Sequence, residues 1–206
     1  GEYIHSSLIA SGCDDDANVT ISLMNMYGRC GNMQAAQRTF EQMSNPNVIS
    51  WTSMIALYGQ HGKCKDALML FQKMLHIGIP PNKVTYTTVL DACNHEGMVL
   101  DAMECLARVI GDDSTLLDID HYISVIDLLG RVGCLNEAEC LIGSMPFQPN
   151  VIILTAVLGA CRCHNNVHGA ERIANFILEL DPDNVVTFVM LSNVYASKFM
   201  GLSNHI

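Results

Sequence analysis

Apolar residues recur at helical spacing along most of this chain, in blocks that end at glycine or proline. Residues 48–82 show the pattern in full. A first apolar stripe ends at Gly59 and Gly62, which predict a break in the helix and a tight turn. A second stripe then runs until Gly78 and Pro80 stop it. The block therefore predicts two antiparallel helices of about 11–14 residues joined by a short turn.

The same block recurs along the chain, and a glycine marks the turn in nearly every copy. Successive glycines are 31, 35 and 36 residues apart, and Asn165 stands 32 residues further on. Each is followed five residues later by an alanine, where a small side chain lets two helices approach closely. The turn positions are Gly31, Gly62, Gly97, Gly133 and Asn165, and the alanines are Ala36, Ala67, Ala102, Ala138 and Ala170. A period of this size predicts a solenoid of stacked helical hairpins.

Larger apolar residues keep fixed distances from these turns and are predicted to form the core. Nine residues after the turn stand Phe40, Phe71, Leu106 and Ile142, and twelve residues after it stand Met43, Met74 and Met145. The first group is expected to fill the groove beside the alanine. The second group is expected to pack against the next repeat.

The repeats follow one another without a low-complexity linker, which predicts one continuous array. The repeat segments are 17–47, 48–82, 83–118, 119–150 and 151–184. Residues 1–16 match the tail of a preceding copy, and 185–206 match the truncated start of a following one, whose pattern fades after Ser197. The first residue is Gly1 and no transit peptide is visible, so we expect the chain to be part of a longer protein.

Composition narrows the classes of function that remain. Half of the 206 residues are hydrophobic, yet no apolar run approaches the roughly 18 residues of a membrane span, so no membrane role is expected. The formal net charge of −10, with only 11 Lys and Arg, argues against a broad basic surface for nucleic acid. The nine cysteines include no C-x-x-C pair, and we interpret them as buried thiols of a reducing compartment.

Motifs for catalysis are not found in the sequence. A zinc-dependent cytidine deaminase needs H-x-E followed by P-C-x-x-C, and neither string occurs. Dinucleotide, P-loop and nucleophile-elbow motifs are missing as well. We therefore predict a protein that is not an enzyme, with no cofactor and no small-molecule substrate.

One cluster has the composition of a metal site. It consists of Cys161, Cys163, His164 and His168. However, Cys161 stands at a position that the repeat pattern assigns to the buried core. The prediction is therefore that the cluster holds no metal.

Short words in the sequence, in a fixed order, resemble those of the pentatricopeptide repeat family of plant organelles. They are YGRCG at 27–31, NVISWTSMI at 47–55, VTYTTVLDAC at 84–93, HYISVIDLLGRVG at 121–133, MPFQPN at 145–150, LGACR at 158–162, LDPDN at 180–184 and LSNVYAS at 191–197. The alternating lengths resemble the PLS subfamily, in which P-, L- and S-type repeats follow one another.

The resemblance gives each segment a type. Residues 1–16 end an L-type repeat; 17–47 and 119–150 are S-type, 48–82 is P-type, 83–118 is L-type, 151–184 is a first E motif and 185–206 a truncated second one. A C-terminal deaminase domain of the DYW type is not present in this sequence.

The resemblance also implies a fold and a function. The fold would be all-α, an α-solenoid of antiparallel helix-turn-helix repeats that forms a right-handed superhelix. Family members bind single-stranded RNA in mitochondria or chloroplasts, and those with E motifs usually specify sites of cytidine-to-uridine editing. Residues 17–150 would then hold RNA in a concave groove. Residues 151–206 would recruit editing-complex proteins, or a deaminase supplied in trans, rather than touch bases.

In the family, the fifth and last residues of a repeat face the base edge, and the second residue wedges against the base plane. Repeat 48–82 offers Thr52 and Asn82, with Ile49 as the wedge, and the family code suggests adenine for this pair. Repeat 83–118 offers Thr87 and Asp118, with Val84 as the wedge.

The two S-type repeats depart from this pattern. Their base-facing pairs are Ile21 with Asn47 and Ile123 with Asn150. Each pair leaves a single polar reader, and the second residues Asn18 and Asp120 are poor wedges. We expect weak base selectivity there. For Asn47, Asn82 and Asn150, the alternative role is a cap or turn residue beside proline.

Positive charge on the same face would meet the RNA backbone. Two residues before the turn glycine stand Arg29 and Arg131, which the resemblance places near the phosphates. The alternative role is capping of a helix C-terminus by a solvated arginine. A second class of function also remains open, a protein-binding solenoid of the tetratricopeptide kind without RNA contact. The acidic charge and the base-facing Ile21 and Ile123 favour it.

Overall fold

The computed structural model describes residues 17–112 and 114–203, and the side chains of 17–111 and 115–197. Over these ranges every regular element is a helix, and no strand is present. The chain divides into two compact units, Gly1–Leu117 and Asp118–Ile206. None of the helices in the described part is long and apolar enough to span a bilayer. The predicted tail of a preceding repeat, 1–16, lies outside the described residues.

In the first unit, three helical hairpins stack side by side. The helices are α1 (Ala17–Arg29), α2 (Met33–Glu41), α3 (Val48–Gln60), α4 (Cys64–His76), α5 (Lys83–Glu96) and α6 (Val99–Asp112), followed by a 3₁₀ turn at Ser114–Leu116. The first helices of successive repeats, α1, α3 and α5, pack against one another. Each of α2 and α4 packs on its own first helix and on the next one, which gives two layers.

The second unit repeats this arrangement. Its helices are α7 (Ile119–Val132), α8 (Leu135–Ser144), α9 (Val151–Cys163), α10 (Val167–Leu180) and α11 (Val185–Ser203). Helix α9 packs against α7 and α11, while α8 packs on α7 and α9, and α10 packs on α9 and α11. Helix α11 continues past Ser197, where the repeat pattern of the sequence fades. The prediction of an all-α solenoid of helical hairpins is confirmed.

The turns have the backbone conformation that the glycine pattern requires. Gly31, Gly62, Gly97 and Gly133 all have positive φ, between 65° and 84°. Asn165, at the fifth turn, has φ 54° and is the sole non-glycine residue with positive φ in the described ranges. Asparagine tolerates this left-handed region better than other residues with a side chain. The five alanines after the turns are fully buried, as predicted.

Gly59 corrects one detail of the sequence interpretation, because it lies inside α3 rather than ending it. A Cβ atom at Gly59 would stand 2.9 Å from the Cβ of Ala92 in α5. The equivalent Gly130 faces Ala160 of α9 in the same way, at 3.0 Å. These glycines therefore bring consecutive first helices close together, and only the later turn glycine ends the helix.

Aromatic rings join each hairpin to the next in the first unit. Phe40 of α2 meets Trp51 of α3 edge to face, with ring centroids 4.8 Å apart. Phe71 of α4 meets Tyr86 of α5 with centroids 5.7 Å apart. All four rings are buried, and offset or edge contacts of this kind add to the burial of apolar area. Met74 is fully buried as predicted, whereas Met43 and Met145 are half-buried.

The interpretation of the cysteines as buried thiols is wrong for part of the set. Cys64, Cys93, Cys105 and Cys161 are buried, but Cys30, Cys140 and Cys163 are exposed and Cys134 is half-buried. Burial raises the pKa of the Cys105 thiol to about 12 and that of Cys161 to about 11. These two thiols therefore stay protonated and unreactive at neutral pH. Cys13 lies outside the described residues.

Substitutions at two turns are expected to change stability in opposite directions. Gly31→Ala puts a Cβ on a residue with φ 78°, although no atom stands within 4 Å of it, so the cost is backbone strain of about 1 kcal/mol. Asn165→Gly relieves such strain and is expected to be neutral or to stabilise by a few tenths of a kcal/mol. Urea denaturation of both variants measures this difference, and equal losses would contradict it.

Candidate nucleic-acid interface

The last residue of each repeat caps the first helix of the next repeat. The Oδ1 atom of Asn82 accepts the Thr85 N–H at 2.9 Å, and that of Asn150 accepts the Ile153 N–H at 2.9 Å. Asn47 caps α3 in the same way, through the N–H groups at 49 and 50. The alternative role as a helix cap is therefore observed at all three asparagines. The cap occupies the carbonyl oxygen of each carboxamide and leaves its NH₂ group as a donor.

One buried hydroxyl, that of Thr85 in the next repeat, connects both predicted base readers of repeat 48–82. The Oγ1 of Thr85 lies 2.8 Å from the Oγ1 of Thr52 and 3.0 Å from the Oδ1 of Asn82. The backbone N–H of Asn82 also donates to Thr85 Oγ1 at 3.3 Å, which completes a capping box. The structure thus brings Thr52 and Asn82 into one hydrogen-bond network.

The network fixes which groups remain available to a ligand. Asn82 Oδ1 is an acceptor, so the single proton of the Thr85 hydroxyl points to it. The contact between Thr52 and Thr85 allows either hydroxyl to donate, and with the Thr85 proton on Asn82 it is Thr52 that donates. Thr52 is left with lone pairs that accept, and Asn82 is left with N–H groups that donate. From the sequence alone, Thr52 and Asn82 could each have acted as a hydrogen-bond donor or as an acceptor.

Two apolar side chains flank this pair of polar groups. Ile49, at the start of α3, is 57% exposed, and Val84, at the start of α5, is 61% exposed. Both are the second residues of their repeats, where a wedge was predicted. Large aliphatic side chains in water at these helix starts leave apolar surface that a planar base can cover. In repeat 17–47, by contrast, the second residue Asn18 is polar and exposed.

The other predicted readers are placed as follows. Ile21 and Ile123 are half-buried and supply no polar group. Thr87 Oγ1 donates to the Lys83 carbonyl oxygen at 3.0 Å, so the Thr87 hydroxyl can offer a ligand only its lone pairs, as an acceptor. Asp118 caps α7, and its backbone N–H donates to Nδ1 of the buried His121 at 3.0 Å.

The two predicted phosphate contacts differ in their surroundings. Arg29 is exposed at the end of α1. Arg131 is exposed near the end of α7 and pairs with Asp127 at 3.5 Å. The backbone carbonyl of Arg131 lies 3.2 Å from Nε2 of His164. The cation at Arg131 is thus partly neutralised already, which makes Arg29 the stronger of the two candidates.

A groove recurs between neighbouring first helices, beside the turns. In the first unit it has a volume of about 200 Å³ and includes Gln60, Asp91 and His95 in its walls. In the second unit it has a volume of about 420 Å³ and includes Arg131 and His164. Because both grooves lie between consecutive first helices, they follow the close helix contacts at Gly59 and Gly130.

The metal-like cluster is dispersed by the fold. Cys161 is buried, whereas Cys163, His164 and His168 are exposed. His168 lies 3.5 Å from a carboxylate oxygen of Glu171. Within the described residues, no group of three or more His, Cys, Asp or Glu side chains is arranged to hold a metal ion.

Sequence reasoning missed the third residue of each repeat. From repeat 48–82 onward this position is buried, and in most of these repeats it is polar: Ser50, Thr85, His121, Ile153 and Thr187. In repeat 17–47 the third residue, Val19, is half-buried. The available signal was a polar residue three places after a capping asparagine or aspartate, as in a capping box. The bond from Thr85 to Thr52, the fifth residue of the preceding repeat, had no signal in the sequence.

Comparison with protein-family models identifies the repeats. The model described as the PPR repeat family matches residues 46–95. The model described as the PPR repeat matches residues 21–47, 84–113 and 120–147. Together the matches cover more than half of the chain.

Curated relatives from Arabidopsis thaliana match nearly the whole chain. Pentatricopeptide repeat-containing protein At3g49170, chloroplastic, is 40% identical over 95% of the chain. Pentatricopeptide repeat-containing protein CRR2, chloroplastic, is 38% identical over 97%, and At3g26782, mitochondrial, is 40% identical over 95%. The chain spans 23%, 30% and 30% of the length of these relatives.

Solved structures with the same fold are also those of a pentatricopeptide repeat protein. The pentatricopeptide repeat protein PPR10 from maize matches with a TM-score of 0.78 at 16% identity, over 95% of this chain and 30% of its own. PPR10 in complex with an 18-nt psaJ RNA element matches with a TM-score of 0.74 at 20% identity, over 98% and 31%. The repeat matches, the relatives and the stacked helical hairpins agree, and the chain belongs to the PPR repeat family.

Proposed function

We propose that this chain binds single-stranded RNA through the N-terminal ends of its first helices, as part of an organellar RNA-processing factor. The observation that carries the proposal is the network of Thr52, Thr85 and Asn82 between two exposed apolar side chains. One base per helical repeat, read by two or three side chains, is the general mode of such proteins. The RNA complex of the structural neighbour PPR10 supports the same ligand class.

At repeat 48–82, a base would lie between Ile49 and Val84. Its edge would meet the accepting hydroxyl of Thr52 and the donating NH₂ of Asn82. Apolar contact with both faces stabilises the bound base without selecting it, because every base has two flat faces. The paired acceptor and donor would then select the base edge, with adenine as the base that the family code suggests.

The finer part of the proposal is a role in specifying sites of cytidine-to-uridine editing. Its support is the resemblance of 151–184 and 185–206 to E motifs of the PLS subfamily. Editing-complex proteins, or a deaminase supplied in trans, would bind residues 151–206. The exposed apolar side chains of Phe188 and Val189 on α11 are suited to a protein partner. Relatives named chloroplastic and mitochondrial support an organellar location.

A protein-binding solenoid without RNA contact is the second candidate. The net charge of −10 favours it, and so do Ile21 and Ile123 at positions that would face bases. The two candidates differ in their response to salt, since binding to phosphates releases counterions and weakens as salt rises.

Removal of the two arginines is expected to reduce the salt dependence of RNA binding. For a single strand, each phosphate contact contributes about 0.7 to the slope of log K against log salt, so Arg29→Ala is expected to lower the slope by about 0.7. Arg131→Ala is expected to lower it less, because Asp127 already pairs with that cation. Filter binding at several salt concentrations measures the slope.

The matched control is Arg38→Ala, which removes an exposed arginine from a second helix, α2. It is expected to leave the slope near the wild-type value. Binding that does not change with salt would refute RNA binding and favour the protein-binding solenoid. We expect weak binding overall, since few repeats offer two polar readers.

A further inference from the structure

Repeat 151–184 carries the same residue types as repeat 48–82 at every position that frames the proposed base site. These positions are the second, fifth and last residues of the repeat and the second residue of the next helix. The two sets are Ile49, Thr52, Asn82 and Val84 in the first unit and Ile152, Thr155, Asn184 and Val186 in the second. The sequence interpretation gave 151–184 no contact with RNA.

The apolar pair of the second set is exposed, like that of the first. Ile152, near the start of α9, is 75% exposed, and Val186, near the start of α11, is 57% exposed. Helices α9 and α11 pack directly against each other within the second unit. The two aliphatic side chains therefore stand at the same ends of neighbouring first helices and leave apolar surface uncovered between them.

The polar groups of the second set have the same polarity as those of the first. Thr155 donates its proton to the Val151 carbonyl oxygen at 2.7 Å, which leaves lone pairs that accept. Asn184 Oδ1 accepts from the N–H and hydroxyl of Thr187, at 3.1 and 2.9 Å. The NH₂ of Asn184 gives one hydrogen to Asp181 at 2.9 Å, and its second hydrogen is left for a ligand.

Neither S-type repeat offers this combination, since each has isoleucine at the fifth position. We infer that repeat 151–184 binds one base of a single-stranded RNA between Ile152 and Val186, with Thr155 as acceptor and Asn184 as donor. This inference rests on the proposed function of RNA binding. With this base site at the start of α11, the exposed Phe188 and Val189 of the same helix remain available to a protein partner.

The inference predicts a specific spacing between two nucleotides of the bound RNA. Two repeats, 83–118 and 119–150, separate the two matching ones. At one base per repeat, the RNA positions that contact them are three nucleotides apart. Because the same side chains line both sites, the two positions should prefer the same base, whichever base that is.

The test is selection of bound sequences from a randomised pool of short single-stranded RNA, with the whole 206-residue chain. The wild type is expected to show one preferred base at two positions three nucleotides apart. Asn184→Asp keeps the cap, since aspartate caps as well as asparagine, but replaces the donor by a carboxylate. It should reduce discrimination about tenfold at one of the two positions only.

Two further variants make the result specific. Thr155→Val removes the acceptor without adding charge and should affect the same position as Asn184→Asp. Asn82→Asp should affect the other position. Asn166→Asp is the matched control, because Asn166 caps the second helix α10 of the same repeat and its replacement adds the same charge.

Each outcome decides the inference. A preference at a single position that responds to Asn82→Asp but not to Asn184→Asp or Thr155→Val would overturn it and leave the proposed function standing. An equal effect of Asn166→Asp and Asn184→Asp would also overturn it, since added charge would then explain both. A chain that retains no RNA at all would refute the proposed function together with this inference.

Discussion

Phe71→Ala is expected to destabilise the first unit by about 3–5 kcal/mol, the largest loss that we anticipate for a single substitution. Phe71 is 2% exposed, and its ring joins α4 to α5 through Tyr86. Truncation leaves a cavity between two repeats and removes the edge-to-face contact. In a protein built of repeats, where each repeat contacts its neighbours, such a loss weakens the coupling between them.

Urea denaturation followed by circular dichroism measures the loss, and hydrogen exchange in α4 and α5 locates it. Met69→Ala is the matched control on the same helix, because Met69 is exposed and its truncation should cost less than about 0.5 kcal/mol. Similar losses for both variants would mean that Phe71 does not connect the two repeats as described.

Thr85→Val is expected to remove most of the base discrimination of repeat 48–82, about tenfold for one good contact. Valine has nearly the shape of threonine but lacks the hydroxyl that joins Thr52 to Asn82. Thr52 would then be free to rotate its proton, and the fixed division into acceptor and donor would be lost. A destabilisation of about 1 kcal/mol should accompany the change, since the capping box is broken.

Thr85→Ser keeps the hydroxyl and is expected to retain the wild-type preference. Thr88→Val serves as the matched control, because Thr88 lies one turn further along α5 and bonds only to the Val84 carbonyl oxygen. Competition between short RNAs that differ at one base measures the preference. Unchanged discrimination by Thr85→Val would show that the two readers act without the connecting hydroxyl.

The turns were predictable because their requirement is local. A left-handed backbone excludes most side chains, so a glycine at each turn, with asparagine once, reveals the end of a helix. Gly59 shows the limit of that argument. The reason for this glycine is the nearby Ala92 of another helix, and a contact between repeats leaves no local mark that separates it from a turn.

The apolar pattern of the sequence likewise could not predict which cysteines are exposed. By residue type, a cysteine is classed as apolar at every position. Cys30 and Cys163 nevertheless lie near the ends of helices, where they are exposed to solvent. Burial at these positions depends on what covers the helix end, and that is decided by the neighbouring repeat.

By itself, the sequence determined the all-α architecture, the register of the hairpins, the positions of the turns and the residue types at each candidate base site. Helical periodicity and the steric demands of the left-handed turn act within a single repeat, so they can be read from one segment at a time. Tertiary structure alone decided the polarity of the site. With the Thr85 proton on Asn82, Thr52 donates to Thr85 of the next repeat and offers only lone pairs to a ligand, and that bond forms only once the two repeats stack.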